Sequence, residues 1–222
     1  MNNLVFIIPA RRNSKTIPFK NRKKINGLSL VDHAISFCEN FNSDEIILST
    51  DDEFFLENQK YKDYSLRRPD NLATDESIIS DVMLELVETK SLHDKFIILL
   101  EPSTLPRDPQ HLDCLFNGEF ENSKSSSIAS FAKSPLLKEK IWISEKGKLM
   151  PDSNLWKRRQ DYAKQYTLTG HYYGFFGKDI FKFYPGLCDE NVFPIFIQEY
   201  FADINDFKDL EEAKLFLENI QK

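Results

Sequence analysis

The sequence predicts a three-layer α/β sandwich, a mainly parallel sheet with helices on both faces. Three observations predict it. Short, nearly continuous apolar runs have the length of buried strands, amphipathic stretches of helix length lie between several of them, and the composition can build a core. At 222 residues and 41% hydrophobic content the chain suits one domain, residues 1–222, with a sizeable interior.

The strand-like runs fall at residues 4–8, 45–49, 96–100, 127–131, 170–176 and 199–204, each rich in Ile, Leu, Phe or Tyr. Leu30, Ala34, Phe37, Cys38 and Phe41 share one helical stripe. Ile78, Ile79, Val82, Met83, Leu86 and Val87 share the next. Ser29 is placed to cap the first helix and Asp75 the second. Between residues 134 and 169 the alternation gives way to Lys- and Arg-rich sequence with Trp142, a turn at 145–148 and Trp156. This segment reads as an inserted hairpin or arm. Its tryptophans need a surface to bury against, and a second subunit or the arm's own domain would serve.

A net charge of −6 excludes a general nucleic-acid surface, which needs many phosphate-neutralising cations. Cys38, Cys114 and Cys188 are too widely separated for a close-spaced zinc motif, and their odd number leaves no complete disulfide framework. The N-terminus lacks an apolar signal core, and runs such as 96–100 are too short to span a bilayer. A soluble protein of a reducing cytoplasm is expected, with neither nucleic acid nor membrane as partner.

The first strand runs into a polar loop, residues 10–21, carrying Arg11, Arg12, Lys15 and Lys20. Open α/β sheets bind ligands outside the carboxyl ends of their strands, and cations with backbone N–H groups there suit a polyphosphate. The loop has neither the glycine fingerprint of dinucleotide folds nor that of Walker-type NTPases. A solvated basic loop is the alternative reading of the same residues.

Several segments in order carry a resemblance. Ile8-Pro9-Ala10-Arg11-Arg12-Asn13-Ser14-Lys15-Thr16-Ile17-Pro18-Phe19-Lys20-Asn21 looks like IPARGGSKGIPxKN, and Ser49-Thr50-Asp51-Asp52 like STDD. Arg68-Pro69-Asp70-Asn71-Leu72-Ala73-Thr74-Asp75 is similar to RPxELAxD, and Leu99-Leu100-Glu101-Pro102-Ser103-Thr104-Leu105-Pro106-Arg107 to LLQPTSPLR. The stretch from Arg158-Arg159-Gln160-Asp161 to Thr169-Gly170 resembles RQxxPxxYxxNGAxY, and Asp203-Ile204-Asn205-Asp206-Phe207-Lys208-Asp209 resembles DIDxxxD. Together they resemble the CMP-N-acetylneuraminate synthetase family and its CMP-3-deoxyoctulosonate relatives.

The resemblance implies a Rossmann-like nucleotidyltransferase fold whose arm, residues 134–169, makes a homodimer. It implies transfer of CMP from CTP to an acidic nine-carbon sugar, with release of pyrophosphate and with Mg²⁺ as cofactor. By the same resemblance Arg11, Lys15 and Lys20 do the catalytic electrostatic work, and Arg11, Ser14, Lys15, Lys20 and Asn21 bind the nucleotide. Arg68 and Asp75 join that pocket, their plain readings being a surface ion pair and a helix cap. Glu101, Ser103, Thr104, Arg107, Gln160, Thr169, Gly170 and Tyr173 face the sugar, and Lys138 and Arg159 align with cations sent into the neighbouring site. Core packing is the plain reading of Tyr172 and Tyr173, and a strand position that of His171; His33 and His93 are given no chemistry. Asp203 is the metal ligand, while Asp206 and Asp209 cap or charge the start of the following helix.

Four positions depart from the family pattern. Arg12-Asn13 replaces a Gly pair, Glu101 replaces Gln, Thr169 replaces Asn, and Asn205 replaces the second Asp of the metal motif. A carboxylate gained at Glu101 could offset the one lost at Asn205. The departures admit other readings, a cytidylyltransferase for an octulosonate or another acceptor, or a nucleotide-binding protein that has lost full metal coordination.

Overall fold

A computed structural model of the chain describes residues 3–134, 142–145, 148–151, 165–199 and 201–220. The elements are β1 (Leu4–Pro9), β2 (Lys24–Ile25), β3 (Leu28–Ser29), α1 (Leu30–Cys38), β4 (Glu45–Thr50), α2 (Glu53–Leu56), β5 (Ser65–Arg67), α3 (Ile79–Thr89), β6 (Phe96–Leu99) and β7 (Thr104–Leu105). They continue with α4 (Glu119–Ser123), β8 (Ser127–Lys133), β9 (Trp142–Glu145), β10 (Lys148–Pro151), β11 (Tyr166–Phe176), α5 (Ile180–Phe183), β12 (Val192–Ile197), β13 (Ala202–Asp203) and α6 (Phe207–Ile220).

Seven strands form one sheet in the order β12-β8-β11-β6-β1-β4-β5. β1 pairs in parallel with both β4 and β6, β4 with β5, and β12 with β8, whereas β11 is antiparallel to both its neighbours. Within this sheet β11 alone is therefore reversed. The expected mainly parallel sheet and α/β class hold.

Alternation along the central strands sorts the core into two layers. Leu4, Phe6 and Ile8 of β1 pack with α1 through Val31, Ala34, Phe37 and Cys38. Val5 and Ile7 face the other way, onto Val82, Met83, Leu86 and Val87 of α3 and onto α5. Both faces of β1 are buried, which is why it reads as a continuous apolar run. A smaller third cluster joins Ile17 and Ile25 to Leu105, Ile204 and Leu210, so the polar loop is pinned by one apolar residue inserted beneath α6.

The edge strand β12 was not expected. Its Pro194 cannot donate to a ladder, a signal against a central strand, yet an edge tolerates it. Conversely, the run expected at 199–204 yields only β13, paired antiparallel with β7. β9 and β10 form an antiparallel pair within the expected insertion.

Ser29 caps α1 as expected. Its Oγ accepts from the Asp32 N–H, and Asp32 Oδ2 accepts from the Ser29 N–H, both at 3.0 Å. Asp75 does not cap α3, whose N-cap position is Ile78 with no side-chain bond. The correction has a simple cause: Asp75 is drawn instead to the Arg11 guanidinium, 2.6 Å away. At the other helix in question, Asp206 Oδ1 accepts from the Asp209 N–H at 3.0 Å, and Asp209 Oδ2 accepts from the N–H groups of Asn205 and Asp206. Those two carboxylates serve the start of α6.

Where the Gly pair of the loop is replaced, the end of β4 holds the loop. Asp51 Oδ1 accepts from the Arg12 N–H at 2.6 Å. Asp52 receives a two-pronged guanidinium from Arg22, with Nε 2.7 Å from Oδ2. Arg22 also stacks between Phe19 and Phe54, 4.4 and 4.7 Å from their ring centres.

Two outcomes are expected. Asp52→Asn should cost about 2 kcal/mol in urea unfolding, under the roughly 3–5 kcal/mol for breaking a fully buried pair, because Arg22 stays 29% exposed while Asp52 is 2% exposed. Asp32 supplies a pH dependence. Burial alone would raise its carboxyl, but bonds from Lys60, Ser29 and Tyr61 outweigh this and hold it below the usual aspartate range. Its contribution is thus fully present above the unfolded value of about 4 and is lost as pH falls through the lower folded value. Urea midpoints measured downward from about pH 5 should fall less steeply for Asp32→Asn than for the wild type.

Candidate active site

A cleft of about 270 Å³ opens at the carboxyl ends of β1, β5 and β6. Arg11, Lys20, Asn21, Arg68, Asp75, Glu101 and Ser103 line it, over a floor that includes Ile79 and Val82 of α3. The topology explains the convergence. β6, β1, β4 and β5 run parallel and adjacent in that order, so the residues that follow β6, β1 and β5 leave at one edge of the sheet.

Each cation is held by a partner that leaves it charged. Arg11 donates to the Thr74 carbonyl at 3.0 Å and to Asp75 Oδ1. Lys20 Nζ donates to the Ile204 carbonyl at 2.9 Å. Burial lowers its affinity for a proton, and the charges of Asp203 and Glu101 act against that shift. Arg68 is buried, with Nε 3.2 Å from Ser49 Oγ and Nη2 3.0 Å from the Ser49 carbonyl. Burial brings it down to about 10 against the opposing charge of Asp51, so it stays protonated near neutrality. The Asn21 amide is buried and donates to the Arg11 carbonyl at 3.0 Å, bracing the loop from within.

Glu101 is the site's unusual carboxylate. Burial raises its pKa, the nearby Asp203 charge adds to this, and Lys20 and Arg107 oppose it. Its backbone is fixed on both sides. Glu101 N–H donates to the Gly170 carbonyl at 3.3 Å, and the Glu101 carbonyl accepts from Thr104 N–H at 3.1 Å and from Arg107. Its carboxyl lies where a side chain at residue 170 would begin. A Cβ there would come within 2.9 Å of Glu101 Oε2, so the carboxyl would have to shift, and Gly170 has φ +74°, a conformation that favours glycine. The irregular pairing of β11 with β8 between Leu168 and Tyr173 sets Gly170 at this close approach.

Other expected residues are placed differently. Ser103 lines the cleft, and Thr104 is buried beneath it, opposite Asp203 in the β7–β13 pair. Thr169 is buried and donates to Ser130 Oγ at 2.8 Å, away from the cleft lining. Tyr173 is half-buried opposite Leu99, its phenol shifted upward by burial, with Glu101 and Asp203 adding to the effect. Ser14 and exposed Lys15 remain on the loop outside the lining. Arg107 is not brought to the cleft; it reaches the Glu101 carbonyl from behind. His171 is fully buried with Nδ1 2.9 Å from Thr169 Oγ1, an interior strand residue. Lys138, Arg159 and Gln160 lie outside the described residues.

The metal question rests on Asp203. This carboxylate is exposed, with Oδ2 accepting from the Asn205 amide at 3.0 Å. Among the described residues no three His, Cys, Asp or Glu side chains group as a metal cage. Two carboxylates beside a cationic cleft nonetheless fit the donor chemistry of Mg²⁺, which takes one or two protein carboxylates and leaves its other positions to phosphates and water. Among the described residues no helix is long and apolar enough to cross a membrane.

Known proteins share this architecture. The family model named cytidylyltransferase matches residues 5–89, which contain the loop, Arg68 and Asp75. A CMP:2-keto-3-deoxy-manno-octonic acid synthetase solved with CTP superposes with a TM-score of 0.70 at 14% identity, covering 98% of this chain and 99% of that one. A 4-diphosphocytidyl-2C-methyl-D-erythritol synthase gives 0.65 at 14% identity over 98% and 99% of the two chains. HddC from Yersinia pseudotuberculosis gives 0.58 at 13% identity over 96% and 99%. The described residues therefore have the α/β nucleotidyltransferase fold, and residues 5–89 match the cytidylyltransferase model.

Proposed function

We propose that the protein is a CTP-dependent cytidylyltransferase that transfers CMP to an acidic sugar and releases pyrophosphate. The observation that carries this reading is the gathering of Arg11, Lys20, Asn21 and Arg68 in one strand-end cleft, three of them within the loop that follows β1. The match of residues 5–89 to the cytidylyltransferase model supports the choice of nucleotide.

In this reading a hydroxyl oxygen of the acceptor attacks the α-phosphorus of CTP, the bond to the bridging oxygen of the β-phosphate breaks, and pyrophosphate leaves. The acceptor's proton passes to solvent. No covalent enzyme intermediate is needed, so the chain's work is alignment and charge stabilisation. Arg11 and Lys20 meet the phosphates with charges already aimed by their hydrogen bonds, and Asn21 keeps the loop backbone in place. Arg68 adds positive potential from below without leaving Ser49. Asp203, with Glu101 near it, would hold Mg²⁺, which supplies further positive charge to the phosphates when bound. Lys15 would close on the triphosphate from the loop's outer face.

A nonulosonic acid is the first acceptor proposed, on the ordered motifs from the nucleotide loop to the Asp203 segment. An octulosonic acid is the second reading, favoured by the fold shared with the CMP:2-keto-3-deoxy-manno-octonic acid synthetase. The arm is proposed to make a homodimer, which light scattering of the purified protein can test.

The decisive experiment measures pyrophosphate release with CTP and Mg²⁺ against a panel of nonulosonic and octulosonic acids, with ATP, GTP and UTP as controls. Release with CTP and one class of acid is expected. CTP binding without release across the panel would replace the enzyme reading with that of a binding protein. Lys20→Ala should lower kcat/KM by about 100-fold or more, as for the loss of one preorganised charge-stabilising donor, with an unchanged circular-dichroism spectrum.

A further inference from the structure

A second concavity of about 320 Å³ lies between α1, α6 and the turn after β7, apart from the nucleotide cleft. Its lining is of two kinds. Phe37, Leu105 and Leu217 give an apolar wall, and Arg107 gives a guanidinium, while no Asp or Glu among the described residues lines it. His33, on the same lining, is held by Nε2–H donating to the Ile25 carbonyl at 2.9 Å.

Arg107 is underpartnered for a part-buried cation. Among the described residues its hydrogen bond goes from Nη2 to the Glu101 carbonyl, a neutral acceptor. Its Nε is buried with no hydrogen-bond partner, and it forms no ion pair with a described carboxylate. The Glu101 carboxylate acts on it without forming an ion pair, and an anion brought to its open side would supply that pairing. The apolar wall beside it would at the same time favour a ligand with a nonpolar body over a bare ion.

We propose that this groove binds a small organic anion, a carboxylate or phosphate monoester on a compact apolar body. Its charged end pairs with Arg107 and its body lies against Phe37, Leu105 and Leu217. Because the same guanidinium holds the Glu101 carbonyl, an occupant of the groove bears directly on the residue that lines the nucleotide cleft. The proposal concerns binding alone, so it stands or falls separately from the transferase reading.

Calorimetric titration of the whole chain with benzoate, phenyl phosphate and inorganic phosphate tests it. Benzoate and phenyl phosphate separate the two headgroups, and inorganic phosphate lacks the apolar body. Saturable binding of at least one aromatic anion is expected, with inorganic phosphate weaker. Arg107→Gln should weaken it by about tenfold or more, as for a lost charge-assisted bond, whereas Lys20→Ala, in the other cleft, should leave it within about twofold. Should Arg107→Gln fail to fold, Ser36→Glu places a carboxylate in the groove from an exposed helix position and should abolish binding. Binding unaltered by Arg107→Gln or Ser36→Glu, binding lost in Lys20→Ala, or no saturable binding up to about 20 mM would overturn the proposal.

Discussion

Positive charge held in a partly dry cleft, offset in part by carboxylates, is the constraint on which the site depends. A carboxylate placed squarely against each cation would satisfy it and at the same time cancel its potential. The chain instead relies heavily on backbone carbonyls: Thr74 for Arg11, Ile204 for Lys20 and Ser49 for Arg68. Carbonyls orient a donor while leaving its charge in place. The carboxylates present are shared or offset, Asp75 at the rim with Arg11, and Glu101 and Asp203 both near Lys20. The cations of the cleft thus stay fixed in direction, with carboxylates close by.

That arrangement needs rigid support, and the core supplies it from three directions. β1 is sandwiched between two apolar layers, so the point where the loop departs cannot drift. Ile17 anchors the middle of the loop in the third cluster, and the Arg12–Asp51 and Arg22–Asp52 contacts secure its flanks to β4. These contacts stand where a Gly pair would otherwise let the backbone shape itself around a ligand. At Arg12 the loop is held through its backbone N–H by the Asp51 carboxylate.

Much of this was readable from the residues. β1 and β6 are buried on both faces, and their unbroken apolar content says so; α1 announces itself by its stripe and by Ser29. β12 was hidden because Pro194 speaks against a strand and only the edge position makes it admissible. The cleft's membership was partly legible, since Arg11, Lys20, Asn21 and Arg68 follow strand ends. Partner choice was not. Nothing local indicates that Asp75 turns from its own helix to Arg11, or that Arg107 points behind Glu101, because both depend on contacts made across the fold. The Arg107 case shows the limit plainly: a motif places a residue near a site, but the side of the sheet it reaches is a tertiary fact.

The reversed strand β11 has one more consequence. β8 ends and β11 begins at the same end of the sheet, where the Ser134 N–H donates to the Gln165 carbonyl at 2.8 Å. The chain therefore leaves the sheet and rejoins it at neighbouring points, so residues added or removed between them need not rethread any strand of the sheet.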